Sequence, residues 1–565
     1  MAYKSGVDRD QMMMCSWDSL IGEDNDVRII DAFVNSLDIE KLGFEKAKPA
    51  VEGRPAYDPR ALLKLYIYGN INDIRSSRKL AKACHTNIEV IWLTHGIKPD
   101  FRTVSDFRKD NIVCMKKVFH EFNHKISTSI EWGFQSVDGS KFQASNSKDR
   151  NFTLSKLDDR IKRMDLQTEE YLRLLDEADS NEDENIGSFT KEQIKEKLDK
   201  ISERKAKYEG YLKKMEEENL AQISLTDPDS KLMKNKNGYA VSYNIQTAVD
   251  SETHLIRNYE TTTEATDHGQ LLHSVEGIKT DGEILETVAD KGYHEKDDMM
   301  NCLKNGVVPN VILPEGQDAY ELETEYKPCD DVDNLLELTD AESLSKCLDA
   351  GVVPVAYKDI IEDIKVVQKK KRVLIPSSME QALMAEEQMI AKAAEGYFVR
   401  DMDRDLVYCP AGEILRKKST TKNGGVRYCN KLACKHCKYQ DRCMKNRKSD
   451  KYPFKVVEFG DKITEKPCRT WNEEMASQER TKHKYRYETH TVVQMRFRPD
   501  RQKMDQRKGL SEHPFGTIKR TMNAGYFLLR SKMKVDGEFA LFSLGYNIKR
   551  AINLIGFEEL MAVMG

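Results

Sequence analysis

Apolar residues recur along this chain in three rhythms, and each predicts a different kind of element. In residues 1–130 the rhythm is helical: Asp58-Pro59 is a helix-start signal, and Leu62, Leu63, Leu65, Tyr66 and Ile67 form a broad apolar face after it. From Phe152 to Leu220 the spacing is three-four. Leu154, Leu157, Ile161, Met164, Tyr171 and Leu175 make one seam, and Ile194, Leu198, Ile201, Tyr208, Leu212 and Met215 a second, with Thr168 and Lys205 filling gaps. The polar stretch 176–188 between them predicts an antiparallel helical hairpin, structural or dimerising in role. Elsewhere the period is two: Val241, Tyr243, Ile245 and Val249 alternate with Ser242, Asn244, Gln246 and Ala248.

Residues 136–142, Ser-Val-Asp-Gly-Ser-Lys-Phe, read as a strand end, and His254–Thr261 as an antiparallel partner of Tyr239–Asp250. A helix over His268–Ile278, a buried strand over Leu285–Asp290, a helix over His294–Asn305 and a strand over Val307–Leu313 follow. That order is the order of an RNase H-like mixed sheet, in which the first and fourth strands are neighbours. The expected fold is therefore α/β: such a sheet flanked by helices, an N-terminal helical domain, the inserted hairpin, and a small cysteine-rich, zinc-ribbon-like insertion. The expected boundaries are 1–130 for the N-terminal helical domain and 131–315 for the first part of the sheet-bearing core, with the hairpin at 152–220. An insertion at 316–480 includes the cysteine cluster 409–443, and 481–565 completes the core.

At 565 residues the chain exceeds one core. The net charge of −4 conceals alternating acidic and basic stretches, so a nucleic-acid partner has to be argued from local patches. No apolar run is long enough to cross a bilayer, and Met1–Asp10 holds no secretory core. Twelve cysteines without an export signal favour reduced thiols or a metal site, and a cytoplasmic location.

Candidate chemistry lies at three acids. Asp138 and Asp290 each close a strand-like run, and Glu512 falls in the helix-like segment Ser511–Arg520, where Ser511 reads as the cap and Pro514 as a first-turn residue. The sheet order would bring Asp138 and Asp290 together across 290 − 138 = 152 positions. Carboxylates converging from distant segments suit hard divalent ions, and a pair of such ions can clamp an in-line phosphoryl displacement. Asp227 and Asp229, around Pro228, are rivals whose context reads as a turn, as does that of Asp250. Arg75, Arg78, Lys79, Lys82 and His85, followed by residues 101–108, suit either a helix-turn-helix-like DNA reader or a plain helical domain with solvated charges. Lysines, arginines and aromatic rings interleave over 482–508, including Lys484, Tyr485, Arg486, Tyr487, Arg496, Phe497 and Arg498, and suit phosphate contact and base stacking. The run Lys369–Arg372 reads as a solvated face. Cys409, Cys434, Cys437 and Cys443 have the spacing of a structural zinc site, with Cys429 or His436 as possible replacements and unligated thiols as the alternative.

At these residues the chain resembles bacterial insertion-sequence transposases with a DDE, RNase H-like catalytic domain, and within them the group called eleven-eighty-two. The resemblance rests on Tyr57-Asp58-Pro59-Arg60, Phe101-Arg102-Thr103, Val137–Lys141, Thr226–Asp229, Gly238-Tyr239 with Tyr243–Gln246, Ala289–Tyr293, the cysteine cluster, Glu512–Gly516 and Leu529-Arg530. It implies Asp138, Asp290 and Glu512 as ligands of two Mg²⁺ (or Mn²⁺) ions. It also implies double-stranded DNA as partner, at element ends and target, and a homodimer associated with the bacterial nucleoid. Of the related Tyr-Arg-Glu-Lys signature, Lys519 is in place seven positions after Glu512, whereas Asp505 stands at the tyrosine and Lys508, beside Arg507, at the arginine. Lys519, Arg507, Lys508, Arg498 and Arg520 are the expected DNA contacts. The alternatives are a nuclease of the same fold that only hydrolyses, and a non-catalytic DNA-binding derivative.

Overall fold

The computed structural model describes the chain except for residues 1–9, 11, 13, 49–54, 147–149, 181–184, 187–188, 218–219, 221, 236–237, 279–283, 375–384, 422–423, 445–453, 461–462, 474 and 476–484. Lys484 of the basic-aromatic stretch lies outside the described residues, as do the side chains of Leu175 and of 485–487. The chain forms two units. One comprises Met1–Lys156, Gln222–Val366 and Val493–Gly565, and the other Leu157–Ala221 and Val367–Val492.

The first unit is built on a mixed sheet of β1 (Gln135–Gln143), β2 (Gly238–Asp250), β3 (Ile256–Thr262), β4 (Leu285–Ala289) and β5 (Val307–Val311), extended by a strand at Lys231–Asn235. β1 pairs antiparallel with β2 and parallel with β4, and β5 continues parallel beyond β4, so the first and fourth strands are the expected neighbours. The alternation in β2 suggests one polar face. Instead, both faces are buried, because helices cover the sheet on each side: Tyr243, Ile245 and Val249 join one core, and Val137, Ala248 and Ala289 another.

The first of these cores is shared with N-terminal helices α1 (Pro59–Ile71), α2 (Ser77–Thr86), α3 (Phe101–Asn111) and α4 (Met115–Ile126), and with two C-terminal helices, α5 (Arg501–Gly516) and α6 (Lys532–Ile555). Asp58 caps α1 by accepting from Arg60 N–H, as its sequence signal predicts. α6 is buried over most of its length, and Gly537 allows it to lie against the Ile112 carbonyl, where a Cβ would overlap that oxygen. Arg75 is a correction. Counted among the cations of a DNA-reading face, it is buried instead, with its guanidinium 3.0 Å from Glu538 and donating to the carbonyls of Asn523 and Tyr526. Glu538 in turn accepts from the Leu528 and Leu529 amides, so the ion pair ties α6 to the turn after α2's neighbour α1 and is structural.

In the second unit, helices Leu154–Ser180 and Lys191–Glu217 pack antiparallel, with Arg160 donating to the Tyr208 hydroxyl and Lys205 paired with Asp165. The cysteine-rich segment forms a six-stranded antiparallel sheet, more than a ribbon, from strands 397–401, 406–408, 414–420, 426–429, 456–459 and 465–467. Lys435 joins it to the hairpin through Asp158 at 3.0 Å. No described helix is long and apolar enough to cross a membrane.

Candidate active site

Register places the two aspartates. Val137 of β1 lies opposite Ala289, the last residue of parallel β4, so the residues that follow emerge side by side: Asp290 just past its strand, as expected, and Asp138 inside β1, which does not end there but runs on to Gln143. α5 crosses that face. Ser511 Oγ lies 3.3 Å from Ser136 Oγ, two positions before Asp138, and Arg507, one turn earlier on α5, extends its guanidinium between the acids. Nη1 is 3.8 Å from Asp138 and Nη2 is 3.8 Å from Asp290. Further along β1, Lys519 donates to Ser140 Oγ at 2.6 Å and to the Lys141 carbonyl.

Asp138 carries the perturbed carboxyl. Burial pushes it up to about 6, Arg507 and the Gly139 amide oppose the rise, and Asp267 and Asp290 add to it. Asp267 is the acid that sequence reasoning missed. It lies before a helix shorter than expected, Leu271–Val275, and accepts from Asn244 Nδ2 at 2.9 Å and Gln246 Nε2 at 2.7 Å. Gln246 accepts in turn from the Tyr293 hydroxyl, three residues after Asp290. This group fills the space beside Gly139: a Cβ there would press on Asp267 and come 2.6 Å from Gln246 Nε2. The glycine after Asp138 was the available signal, since a strand glycine marks close approach of another group.

Glu512 requires a correction of context. It lies inside α5, not at a helix start. Asp500 caps α5 by accepting from the Gln502 and Lys503 amides, while Ser511 Oγ bonds back to the Arg507 carbonyl. Pro514 stands near the helix end, and the chain continues into a π-turn at Thr517–Thr521, so Lys519 is carried to β1 while Glu512 is exposed. Asp138 and Asp290 are thus brought together and Glu512 is on the helix that covers them. Among the described residues no group of three or more His, Cys, Asp or Glu side chains stands close enough to hold a metal ion.

Of the expected DNA contacts, Lys508 and Arg520 are exposed. Arg507 is turned inward to the acids, and Arg498 is held by Glu362 at 3.0 Å and Asp318 at 3.8 Å. The rival acids have structural partners. Asp227 accepts from the Ser531 amide and the Tyr243 hydroxyl, Asp229 from the Lys532 amide, and Asp250 from Gly133, Gln135, Glu252 and Thr253.

In the second unit, Cys409, Cys434, Cys437 and Cys443 border one cavity of ≈ 30 Å³, which neither Cys429 nor His436 borders. Cys468, which no spacing rule flagged, is buried with its sulfur 4.0 Å from that of Cys443. That contact holds the Cys468 thiol low, at about 6, and raises Cys443, while burial pushes Cys409 up to about 11.

Two family models match the chain. A transposase domain (DUF772) matches residues 15–110, and a transposase DDE domain matches residues 408–552. The second match takes in the cysteine cluster, Arg507, Glu512 and Lys519, and Asp138 and Asp290 precede it. Together the matches support an insertion-sequence DDE transposase. Such enzymes in general cut and join DNA using divalent metal. No curated protein and no solved structure matches the chain.

Proposed function

We propose that this transposase, of the eleven-eighty-two group and with an RNase H-like catalytic core, binds the terminal inverted repeats of its own element, hydrolyses phosphodiester bonds there and joins the freed 3′-hydroxyl to target DNA. The observation that carries this reading is that Asp138, inside β1, and Asp290, just past its parallel neighbour, face one guanidinium.

The donor set fits a hard cation. It offers carboxylate oxygens with no sulfur or imidazole, and magnesium needs only one or two carboxylates if it keeps waters and phosphate oxygens. Thr247 Oγ1, opposite Asp138 in register, and Arg507 Nε are buried without hydrogen-bond partners, as a site lacking a polar occupant leaves them. Asp138 and Asp290 would hold two Mg²⁺ or Mn²⁺ ions, and Glu512 would complete the second site. Ions bound there supply activation of the attacking water or hydroxyl and stabilisation of the leaving oxygen. Arg507 balances the two carboxylates and can donate to a phosphate oxygen from the same position. Lys519 fixes β1 beyond Asp138, and exposed Lys508 and Arg520 are available to phosphates. Two element ends processed together call for a homodimer, at the nucleoid in the bacterial cytoplasm.

The cysteine cavity is proposed as a structural Zn²⁺ site, although among the described residues its thiols do not stand in a metal-holding group and would have to close further on the ion. A tetrahedral ion with Zn–S of about 2.3 Å sets its sulfurs about 3.8 Å apart, close to the 4.0 Å between Cys443 and Cys468, so Cys468 joins Cys409, Cys434, Cys437 and Cys443 as a candidate ligand.

The test is a plasmid carrying the sequences that flank the coding region, incubated with protein and Mg²⁺. Nicks at the element ends followed by strand-transfer products are expected, and Asp138→Asn or Asp290→Asn abolishes both. Nicks without transfer would make the protein a simple nuclease. Binding without cleavage would make it a non-catalytic derivative.

A further inference from the structure

The amino-terminal ends of α2 and α3 open onto a cleft of ≈ 350 Å³, within the span matched by the DUF772 transposase domain. Ser76, Ser77 and Arg78 border it from one side of the sequence, and Phe101, Arg102 and Ser105 from the other. Phe101 is 39% exposed, and the guanidinium carbons of Arg78 and Arg102 stand 5.1 and 5.9 Å from its ring centre. Among the described residues neither arginine forms an ion pair, in contrast to Arg75 three positions earlier.

The start of α2 is unfinished in a specific way. Ser76 occupies the N-cap with extended backbone, yet its side chain accepts no amide hydrogen of the helix, so the first-turn N–H groups have no side-chain acceptor there. Orphan amides at a helix start, two unpaired guanidiniums and three hydroxyls converge on one volume, and all of these groups can donate to an anion. Asp106 also borders the cleft. Two cations against one carboxylate leave it positive, and the acid disfavours anions unable to reach both arginines.

We infer that this cleft is a phosphate-binding site that grips the DNA backbone, with Arg78 and Arg102 as the phosphate contacts, Ser76 and the first-turn amides of α2 as further donors, and the Phe101 ring packed against the adjoining sugar. This narrows the broad cationic stretch of the N-terminal domain to one cleft that grips backbone phosphate, and it rests on the transposase reading. Because the contacts are to phosphate, the cleft supplies affinity and register and does not read base sequence.

Fluorescence anisotropy with the full-length protein in EDTA tests this, using labelled duplexes of an element end and of unrelated sequence, over 50–200 mM salt. Each lost phosphate contact reduces the slope of log K against log salt by about 0.9. Arg78→Ala/Arg102→Ala is therefore expected to reduce it by about 2, equally for both duplexes, and Ser76→Ala to weaken binding less. Arg78→Lys/Arg102→Lys, which keeps charge and helix propensity, is expected to retain the slope while losing affinity from the missing forked donors. Lys98→Ala, an exposed cation of the same domain, should leave binding unchanged. An unchanged slope in the double alanine variant, with an unchanged thermal transition, overturns the inference, and so does a loss confined to the element end. Inorganic phosphate provides the other arm. Wild-type protein stabilised by millimolar phosphate while the double variant binds DNA normally would make this a free-phosphate site and refute the DNA role. Binding is read without metal and cleavage only with it, so a failure here is distinguishable from a failure of the catalytic assignment.

Discussion

Replacing Asp138 by asparagine should stabilise the metal-free protein at neutral pH while abolishing catalysis. Folding places this carboxyl within β1 beneath α5 and pushes it up to about 6 from an ordinary 3.8. The ionised form is thus disfavoured by folding, and a difference of about 2 in pKa is worth about 3 kcal/mol. That cost is present in full above about pH 6, shrinks as the folded protein takes up its proton, and is absent below the unfolded value near 4. Asparagine has nearly the shape of the protonated acid and can still accept from the Gly139 amide, which donates to Asp138 Oδ1 at 2.9 Å. Denaturant unfolding of wild type and Asp138→Asn in EDTA, from pH 4 to 8, should show the variant gaining up to about 3 kcal/mol at pH 7.5 and almost nothing at pH 4. Adding Mg²⁺ should reverse the ranking, because an ion that binds the folded state alone at 100 times its dissociation constant adds about 2.7 kcal/mol, and only to wild type. A variant that is less stable at every pH, or whose gain does not change with pH, would refute the claim that this site stores an unfavourable charge for a cation to relieve.

Three further outcomes follow from particular contacts. Gly139→Ala forces a methyl onto Asp267 and Gln246 and should cost about 1–3 kcal/mol by overpacking, with a cleavage rate at least tenfold lower in the plasmid assay. Arg75→Met strands the buried Glu538 carboxylate and should cost about 3–5 kcal/mol in denaturant unfolding, with no change in the metal dependence of any residual activity. Cys434→Ser/Cys437→Ser should remove one equivalent of zinc from the purified protein by elemental analysis, and lower the melting temperature of the second unit while the first unit's transition stays in place.

Much of the fold was legible because period reports burial. The three-four seams of the hairpin and the Asp58-Pro59 start signal needed only local rules, and the strand order followed from counting elements between Asp138 and Asp290. What escaped was whatever depended on a partner distant in sequence. Asp267 sits in an unpatterned Thr-Asp-His-Gly stretch, and only the sheet places it beside Gly139. The start of α5 was misplaced because Ser511 and Pro514 imitate a helix beginning, whereas Asp500 supplies the cap and Ser511 bonds back within the helix. Arg75 and Arg507 look like surface cations in sequence, and each is drawn inward by an acid from another segment. Cys468 follows Cys443 by 25 positions outside any knuckle spacing, and folding alone brings their sulfurs together.

Iron-directed backbone cleavage addresses the central claim in space. Fe²⁺ substituted for magnesium, with ascorbate and peroxide, cuts the polypeptide wherever the chain passes the bound ion. The account predicts cuts near residues 138, 290 and 512 in wild type, suppressed together by excess Mg²⁺ and all lost in Asp138→Asn. Cuts that leave out the segments around 138 and 290, or that persist unchanged in the variant, would contradict it.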